Sequence, residues 1–457
     1  MDDKLHEECG VFGAYSLSGR DVAKDIYYGL LALQHRGQEA AGIAVSDTAG
    51  PKGRVILKKD MGLVNEVFHK EDLDRLKGNI GVGHVRYSTT GASVVENAQP
   101  LSMNYLKGSL ALVHNGNIVN ADRLKDEQVM RGLAHYTTSD SEVLAYEIIG
   151  ERVKSASIEE ACVRAAGKLS GGYAVVIMSP RKLLGIRDPY GIKPLVIGKR
   201  GETYFLASES AAIRAVNAEF VRDVLPGEIV SVTSEGLSSD TSLVKEERAH
   251  CIFEYIYFAR NDSVMDGVEV HEARMKAGRA LAKESPVKAD IVVGVPDSGL
   301  AAAQGFAEES GIPFALAFHK NGYIGRSFIK PTDEERKTAV QMKLSVLTHV
   351  VRGKDIVLID DSIVRGTTMR RLIEMLKEAG AGSVHVRISS PPFLYPCFYG
   401  TDVPTSKQLI ASEHSPDEVA RAVGADSLAY LRVEDFSSMV GELPLCTACF
   451  TERYPVL

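Results

Sequence analysis

The sequence predicts two mixed units in tandem, an α+β layered sandwich followed by an α/β parallel sheet with a small carboxyl-terminal cap. Three observations carry this. At 457 residues the chain exceeds one ordinary core. Up to about residue 240, short β-like runs bounded by Gly, Pro, Asn or Asp dominate. From about Cys251 onward, strands and helices alternate in the β-α-β order of a parallel sheet.

In the first unit a β-like run follows Cys9, and Gly42 to Ser46, Arg54 to Lys58, Ile80 to Val85, Leu110 to His114, Tyr173 to Met178, Leu183 to Arg187, Tyr204 to Ser208 and Glu228 to Val232 read as strands. Helical spacing of Ile26, Leu30 and Leu33 predicts a helix over Asp21 to Gln34, and a similar pattern predicts one over Ser141 to Lys154. The polar, Ser-rich stretch Thr233 to Glu247 reads as the boundary between the units.

The second unit reads as a helix over Glu272 to Glu284, strand Ile291 to Val295, helix Leu300 to Glu309, strand Phe314 to Phe318, and a helix near Glu334 to Val346. Strand Ile356 to Ile359, helix Thr367 to Ala379 and strand Val384 to Ile388 follow. The last sixty or so residues, with S-P-D-E-V-A-R-A-V and a C-x-x-C pair, read as the cap. There is no internal repeat.

Composition narrows the function classes. With 45% hydrophobic and 25% charged residues the chain has an ordinary globular balance, and a net charge of -7 gives no reason to expect a nucleic-acid partner. Its apolar runs are too short to span a bilayer, and the start M-D-D-K-L-H-E-E is acidic where a signal peptide is basic and then apolar, so no membrane association and a cytoplasmic location are expected. Six cysteines in so long a chain are too sparse for a disulfide scaffold.

The first chemical motif is Cys9 in E-E-C-G-V-F-G. A lone cysteine is usually a small buried hydrophobe. Three further motifs argue otherwise. Arg86 in H-V-R-Y-S-T stands just after a strand, suited to grip a carboxylate. Asn115 and Gly116 in V-H-N-G-N place an amide side chain and a backbone N–H at a strand end, the two donors that an oxyanion hole needs. Asp140 in S-D-S-E opens a helix, where its outward side suits an ammonium group. Together the four motifs resemble the glutaminase domain of the N-terminal nucleophile amidotransferases, an αββα sandwich, over the first half of the chain. The resemblance implies that Cys9 attacks the glutamine side-chain amide with its own α-amino group as proton carrier. Arg86 then binds the carboxylate of glutamine, Asp140 its ammonium, and Asn115 with Gly116 the oxyanion. In the encoded chain Cys9 is not first, so its nitrogen is an amide without basicity. Met1 to Glu8 therefore reads as a leader removed on maturation.

In the second unit, D-I-V-L-I-D-D-S-I-V-R-G-T-T reads as a buried parallel strand opening into a phosphate cradle. Arg365 supplies a cation, Gly366 close backbone approach, and Thr367 and Thr368 hydroxyls at a helix start. Asp360 and Asp361 suit sugar hydroxyls or a hard cation such as Mg²⁺. The stretch resembles the phosphoribosylpyrophosphate (PRPP) motif of the type I phosphoribosyltransferases, in which the acids contact the ribose and the loop holds the 5-phosphate. By that resemblance V-P-D-S-G is the pyrophosphate-side loop, with Ser298 an oxygen contact to the metal. The basic stretch H-K-N-G-Y-I-G-R-S-F-I-K then reads as a lid whose Lys320 and Arg326 meet pyrophosphate.

Cys251, Cys397, Cys446 and Cys449 fall in the second half. Four thiolates suit Zn²⁺ or an iron–sulfur cluster, and C-x-x-C alone does not choose between them. Cys162, inside a helical run, reads as core.

Over nearly the whole chain the two halves resemble the amidophosphoribosyltransferase family, in its leader-containing, iron–sulfur branch. The resemblance implies one four-iron four-sulfur cluster, [4Fe-4S], at the four cysteines, and Mg²⁺ at the PRPP site. It also implies glutamine and PRPP as substrates, an internal ammonia path, feedback by purine nucleotides and a homotetramer. The implied domains are a leader at 1–8, glutaminase at 9–240, phosphoribosyltransferase at 251–405 and a cap at 406–457. A regulatory PRPP-binding protein would not need the glutaminase motifs. A sugar-aminating or asparagine-forming relative would carry another synthase module in place of D-D-S-I-V-R-G-T-T.

Overall fold

The computed structural model describes residues 9–48, 54–87, 93–322, 344–401, 403 and 405–457. The leader Met1 to Glu8, Arg326 and most of the expected helix near Glu334 lie outside the described residues.

The amino-terminal unit is built on two antiparallel sheets. One has seven strands in the order Glu219–Asp223, Val196–Arg200, Thr203–Ala207, Gly10–Ser16, Ile80–Arg86, Ala40–Ser46 and Ile56–Met61. The other has six, in the order Gly236–Asp240, Ile229–Thr233, Lys182–Arg187, Gly171–Ser179, Gly108–Ile118 and Leu101–Tyr105. Alternation along each strand sends side chains to opposite faces. In the central strand Gly10–Ser16, Val11 and Tyr15 point between the sheets to meet Val176 and Val230, while Phe12 and Ala14 point outward to Ile26, Leu30 and Ile213. Both faces are therefore buried, which is why these strands read as continuous apolar runs. On the far side, Val143, Ile148 and Cys162 from the helices Asp140–Lys154 and Ile158–Ala166 cover the second sheet. The result is the expected αββα sandwich.

The second unit holds a parallel sheet of four strands, Ile291–Gly294, Ile356–Asp360, Val384–Ile388 and Ser427–Tyr430. Helices Val270–Glu284 and Gly299–Ser310 pack Ala277, Leu281 and Phe306 on one face against Val292 and Val357. Helices Thr367–Glu378 and Pro416–Val423 pack Leu372 and Val419 on the other against Val293 and Leu358. The carboxyl-terminal stretch returns to the start of this unit, where Leu445–Cys446 pairs in parallel with His250–Cys251.

Several sequence expectations change. The stretch read as a boundary contains the edge strand Gly236–Asp240, whose polar residues reflect one solvated side and not a linker. Leu101–Tyr105 and Glu219–Asp223, also at sheet edges, have the same mixed composition and were not expected as strands. Phe314 to Phe318 is no sheet strand. Phe314 makes one parallel bridge to Val292, and Phe318–Lys320 instead pairs antiparallel with Leu344–Val346 in a separate ribbon. Leu344–Val346, expected at the end of a helix, is therefore β. The fourth strand of the parallel sheet, Ser427–Tyr430, comes from inside the stretch read as a cap. Among the described residues no helix is long and apolar enough to cross a membrane.

Candidate active sites

Cys9 stands at the head of the central strand of the seven-stranded sheet. Its thiol donates to the Tyr87 carbonyl at 3.4 Å, and its own carbonyl accepts from Arg36 Nε at 3.3 Å. Gly10 pairs with Val85 in the neighbouring strand, so the next antiparallel step sets Cys9 opposite Arg86, which is buried. The second sheet contributes Asn115 and Gly116 from the long strand Gly108–Ile118. The Asn115 side chain is fully buried, and among the described residues neither Nδ2 nor Oδ1 has a hydrogen-bond partner. Buried amides are normally paired, so this carboxamide is a candidate hydrogen-bonding partner for a bound group. Gly116 has φ +127, and a Cβ there would overlap the Gly172 carbonyl, so only glycine fits this close approach of two strands.

Asp140 begins the helix Asp140–Lys154, with Ser139 Oγ accepting from Ser141 N at 3.3 Å as the cap. Asp140 Oδ2 accepts from the Ile118 N–H at 2.9 Å, and Oδ1 lies 3.4 Å from Ser139 Oγ. Behind these groups is a buried polar layer that sequence reasoning did not assemble. His114 N donates to Gln99 Oε1 at 2.7 Å, and Gln99 Nε2 donates to Ser141 Oγ at 3.1 Å. Ser141 Oγ and His114 Nδ1 are 3.0 Å apart, and His84 Nε2 lies 3.0 Å from the His114 carbonyl. Burial depresses the pKa of both imidazoles, His84 to about 3, so both are neutral near pH 7. The signal was present, since both histidines sit inside the quoted motifs H-V-R-Y-S-T and V-H-N-G-N.

The second site lies at the carboxyl ends of two adjacent parallel strands, where Gly294 is in register with Ile359. Asp360 and Asp361 are both buried. Asp361 Oδ2 accepts from Ser298 Oγ, Asp361 Oδ1 from Ser362 Oγ at 2.5 Å, and Asp360 Oδ1 from the Asp361 N–H at 3.0 Å. The acidic strand end and the V-P-D-S-G loop are thus in direct contact. Lys320 is ion-paired with Asp297 of that loop. Gly366, at φ +84, caps the helix Thr367–Glu378, so Thr367 and Thr368 are its first residues. Arg365 Nη2 donates to Gln408 Oε1 at 2.8 Å. Sequence reasoning missed Arg274. It is fully buried with its pKa pushed down to about 10 by that burial, which the nearby Asp361 charge partly offsets.

Among the described residues no disulfide joins any of the six cysteines. Cys251, Cys397, Cys446 and Cys449 line one cavity whose walls are otherwise largely apolar and aromatic, including Phe253, Phe393 and Tyr399. Cys251 and Cys446 are register partners, and Cys397 Sγ accepts from the Tyr399 N–H at 3.4 Å. Burial pushes the Cys446 thiol up to about 12 and the Cys449 thiol well above its ordinary value, and the neighbouring sulfurs add to both. Lys193, fully buried on the cavity wall, acts on Cys446 in the opposite sense and was not singled out from the sequence. Among the described residues no three His, Cys, Asp or Glu side chains form a group able to hold a single metal ion. Four thiols around one apolar cavity are a donor set that zinc and an iron–sulfur cluster both take. Cys162 is buried core, as expected.

Residues 84–215 match the model of a glutamine amidotransferase domain, and residues 267–389 that of a phosphoribosyl transferase domain. The amidophosphoribosyltransferase of Methanocaldococcus jannaschii is 46% identical over 98% of this chain and 97% of its own length. That of Bacillus subtilis is 47% identical over 99% of this chain and 94% of its own. The solved structure of the Bacillus subtilis glutamine PRPP amidotransferase, complexed with ADP and GMP, superposes with a TM-score of 0.91 at 45% identity, covering 98% of both chains. A structure described as the allosteric regulatory enzyme of purine biosynthesis superposes equally well, with a TM-score of 0.91 over 98% of this chain and 96% of its own.

Proposed function

The chain belongs to the amidophosphoribosyltransferase family, and from that premise we propose how its own residues divide the reaction between two sites. Glutamine is hydrolysed in the first unit, and the ammonia displaces pyrophosphate from PRPP in the second. The products are glutamate, 5-phosphoribosylamine and pyrophosphate, the first committed step of purine synthesis.

At the glutaminase site, the Cys9 sulfur adds to the side-chain amide carbon. The α-amino group of Cys9, freed by removal of Met1 to Glu8, takes the thiol proton and delivers it to the departing ammonia. Arg86 holds the substrate carboxylate and Asp140 its ammonium. The developing oxyanion receives Asn115 Nδ2 and the Gly116 N–H, and water then hydrolyses the thioester. The observation that carries this reading is the buried Asn115 carboxamide, which has no hydrogen-bond partner among the described residues.

At the second site, Asp360 and Asp361 hold the ribose hydroxyls, and the Arg365 to Thr368 loop holds the 5-phosphate at the start of its helix. Ser298 supplies an oxygen to the metal, and Lys320 and Arg326 are assigned to pyrophosphate. Mg²⁺, when bound, offsets the pyrophosphate charge, and two carboxylates with substrate oxygens suit its preference for few protein ligands. The four cavity cysteines hold one [4Fe-4S] cluster, which pins the tail to the body. Purine nucleotides inhibit at the PRPP site, in keeping with the nucleotides bound to the Bacillus subtilis relative. The enzyme works in the cytoplasm as a homotetramer.

Intact mass and iron content of anaerobically purified, active protein test the maturation and cluster assignments together. A chain beginning at Cys9 with four irons is expected. Active protein retaining Met1 to Glu8, or holding zinc with no acid-labile sulfide, would refute the respective assignment.

A further inference from the structure

A buried ion cluster joins the main chain of Cys9 to the phosphoribosyltransferase half. Arg36 follows the helix Ala23–Ala32, and its side chain is 0% exposed. Its Nη1 donates to Glu209 Oε1 at 2.6 Å and to Glu254 Oε2 at 3.0 Å, and its Nη2 donates to Glu254 Oε1 at 2.5 Å. The third arm, Nε, donates to the Cys9 carbonyl at 3.3 Å. Glu209 belongs to the amino-terminal unit and receives further donors from His35 at 2.7 Å, the Arg260 N–H at 3.0 Å and Ser263 Oγ at 2.7 Å. Glu254 opens the π-helical turn Glu254–Phe258 of the second unit. That turn is held in place by Arg274, which donates to the Tyr255 and Ala259 carbonyls at 2.9 and 2.8 Å.

Domains can be held together as well by apolar contact as by buried charge, and a buried pair is costly unless its geometry is good. The fork-to-fork contact between Arg36 and Glu254 has that geometry, and it orients the guanidinium as well as anchoring it. Because the same guanidinium bonds the Cys9 carbonyl, its orientation sets the backbone of the residue that carries the sulfur. We propose that Glu254, from the phosphoribosyltransferase unit, is a positioning residue for glutamine hydrolysis, acting through Arg36 on the main chain of Cys9. The proposal rests on Cys9 being the nucleophile.

Glu254→Gln preserves the volume and removes the charge. Displacement of a nucleophile by a fraction of an ångström to one ångström is costly to rate. The kcat for glutamine hydrolysis by Glu254→Gln is therefore expected to fall at least about tenfold. With ground-state contacts intact, the KM for glutamine should stay within about twofold. PRPP amination by free ammonia should proceed at the wild-type rate, which also certifies the fold. Arg36→Lys, which keeps the buried charge and lacks the Nε arm to Cys9, is expected to show the same split. Wild-type glutamine hydrolysis by Glu254→Gln would overturn the proposal. So would a parallel loss of the ammonia-dependent reaction in both variants, which would make the cluster purely structural. Cys9→Ala, assayed alongside, separates the two levels: if it still hydrolyses glutamine, the nucleophile assignment itself fails.

Discussion

The carboxylate of Asp140 accepts the backbone N–H of Ile118 at 2.9 Å, which ties the helix start of one motif to the strand that carries Asn115 and Gly116. A residue proposed to receive the ammonium of glutamine thus also braces the strand bearing the oxyanion donors. Asp140→Asn keeps an oxygen for that N–H and loses the charge. A charge-assisted hydrogen bond is worth about 1.5–3 kcal/mol, so the KM for glutamine should rise roughly 10- to 100-fold with a smaller change in kcat. Steady-state kinetics over a wide glutamine range checks this, and an unchanged KM would count against the assignment.

Asn115→Ala removes one of two oxyanion donors. Loss of one such donor costs about 10²- to 10³-fold in kcat, with KM little affected. Because the Asn115 amide is buried without a partner among the described residues, the melting temperature should hold despite the truncation. A variant with near wild-type kcat would place the oxyanion elsewhere.

Much of this site was legible because each motif carries its chemistry locally. A cysteine before a strand, an arginine closing one and an Asn-Gly pair are all readable within a few residues, although the strand expected to stop at His114 runs on through Asn115 and Gly116 to Ile118. What was not legible depends on distance or on a solvated face. Arg36 and Glu254 are 218 positions apart, and nothing in a lone acid within the aromatic run F-E-Y-I-Y-F marks its partner. The edge strand Gly236–Asp240 has the polar composition of a linker, because only one of its sides is covered. Ser427–Tyr430 is too short for periodicity to distinguish it from a loop, although it completes the parallel sheet. Asp360 to Thr368 was legible throughout, because an apolar strand, two acids and a glycine-opened helix follow one another without interruption.

Asp361→Asn is expected to separate the sites in the opposite sense. Its carboxylate is the meeting point of the two strand ends, through Ser298 and Ser362. Loss of the charge should weaken apparent PRPP and Mg²⁺ affinity by roughly 10- to 100-fold. Glutamine hydrolysis measured without PRPP should be unchanged, and a matching loss there would contradict the division.

Cys446→Ser tests the cysteine cavity. Cys446 also sits in the short parallel pairing of the tail with Cys251. Loss of one thiolate should strip iron and acid-labile sulfide and increase proteolysis of the stretch after Phe436. Full iron retention with an unaltered digestion pattern would exclude Cys446 as a ligand.

The buried imidazoles predict an acid limit to stability. The folded-state pKa of His84 is depressed to about 3, against an ordinary value of about 6.5 in the unfolded chain. Between these values the unfolded state binds the extra proton, so stability is present above about pH 6.5 and declines as the pH falls. The slope for one such group is about 1.4 kcal/mol per pH unit. His114, shifted in the same direction, adds to it. Denaturant unfolding between pH 7 and 5 should show the decline, and His84→Gln should flatten it.

The central claim is that two separate sites share one reaction, and the Cys9→Ala variant tests it most directly. Phosphoribosylamine formation from PRPP is measured in parallel with glutamine and with free ammonia as nitrogen donor. The account predicts that the glutamine-dependent rate disappears while the ammonia-dependent rate stays at the wild-type level. Retention of the glutamine-dependent rate, or loss of both together, would contradict it.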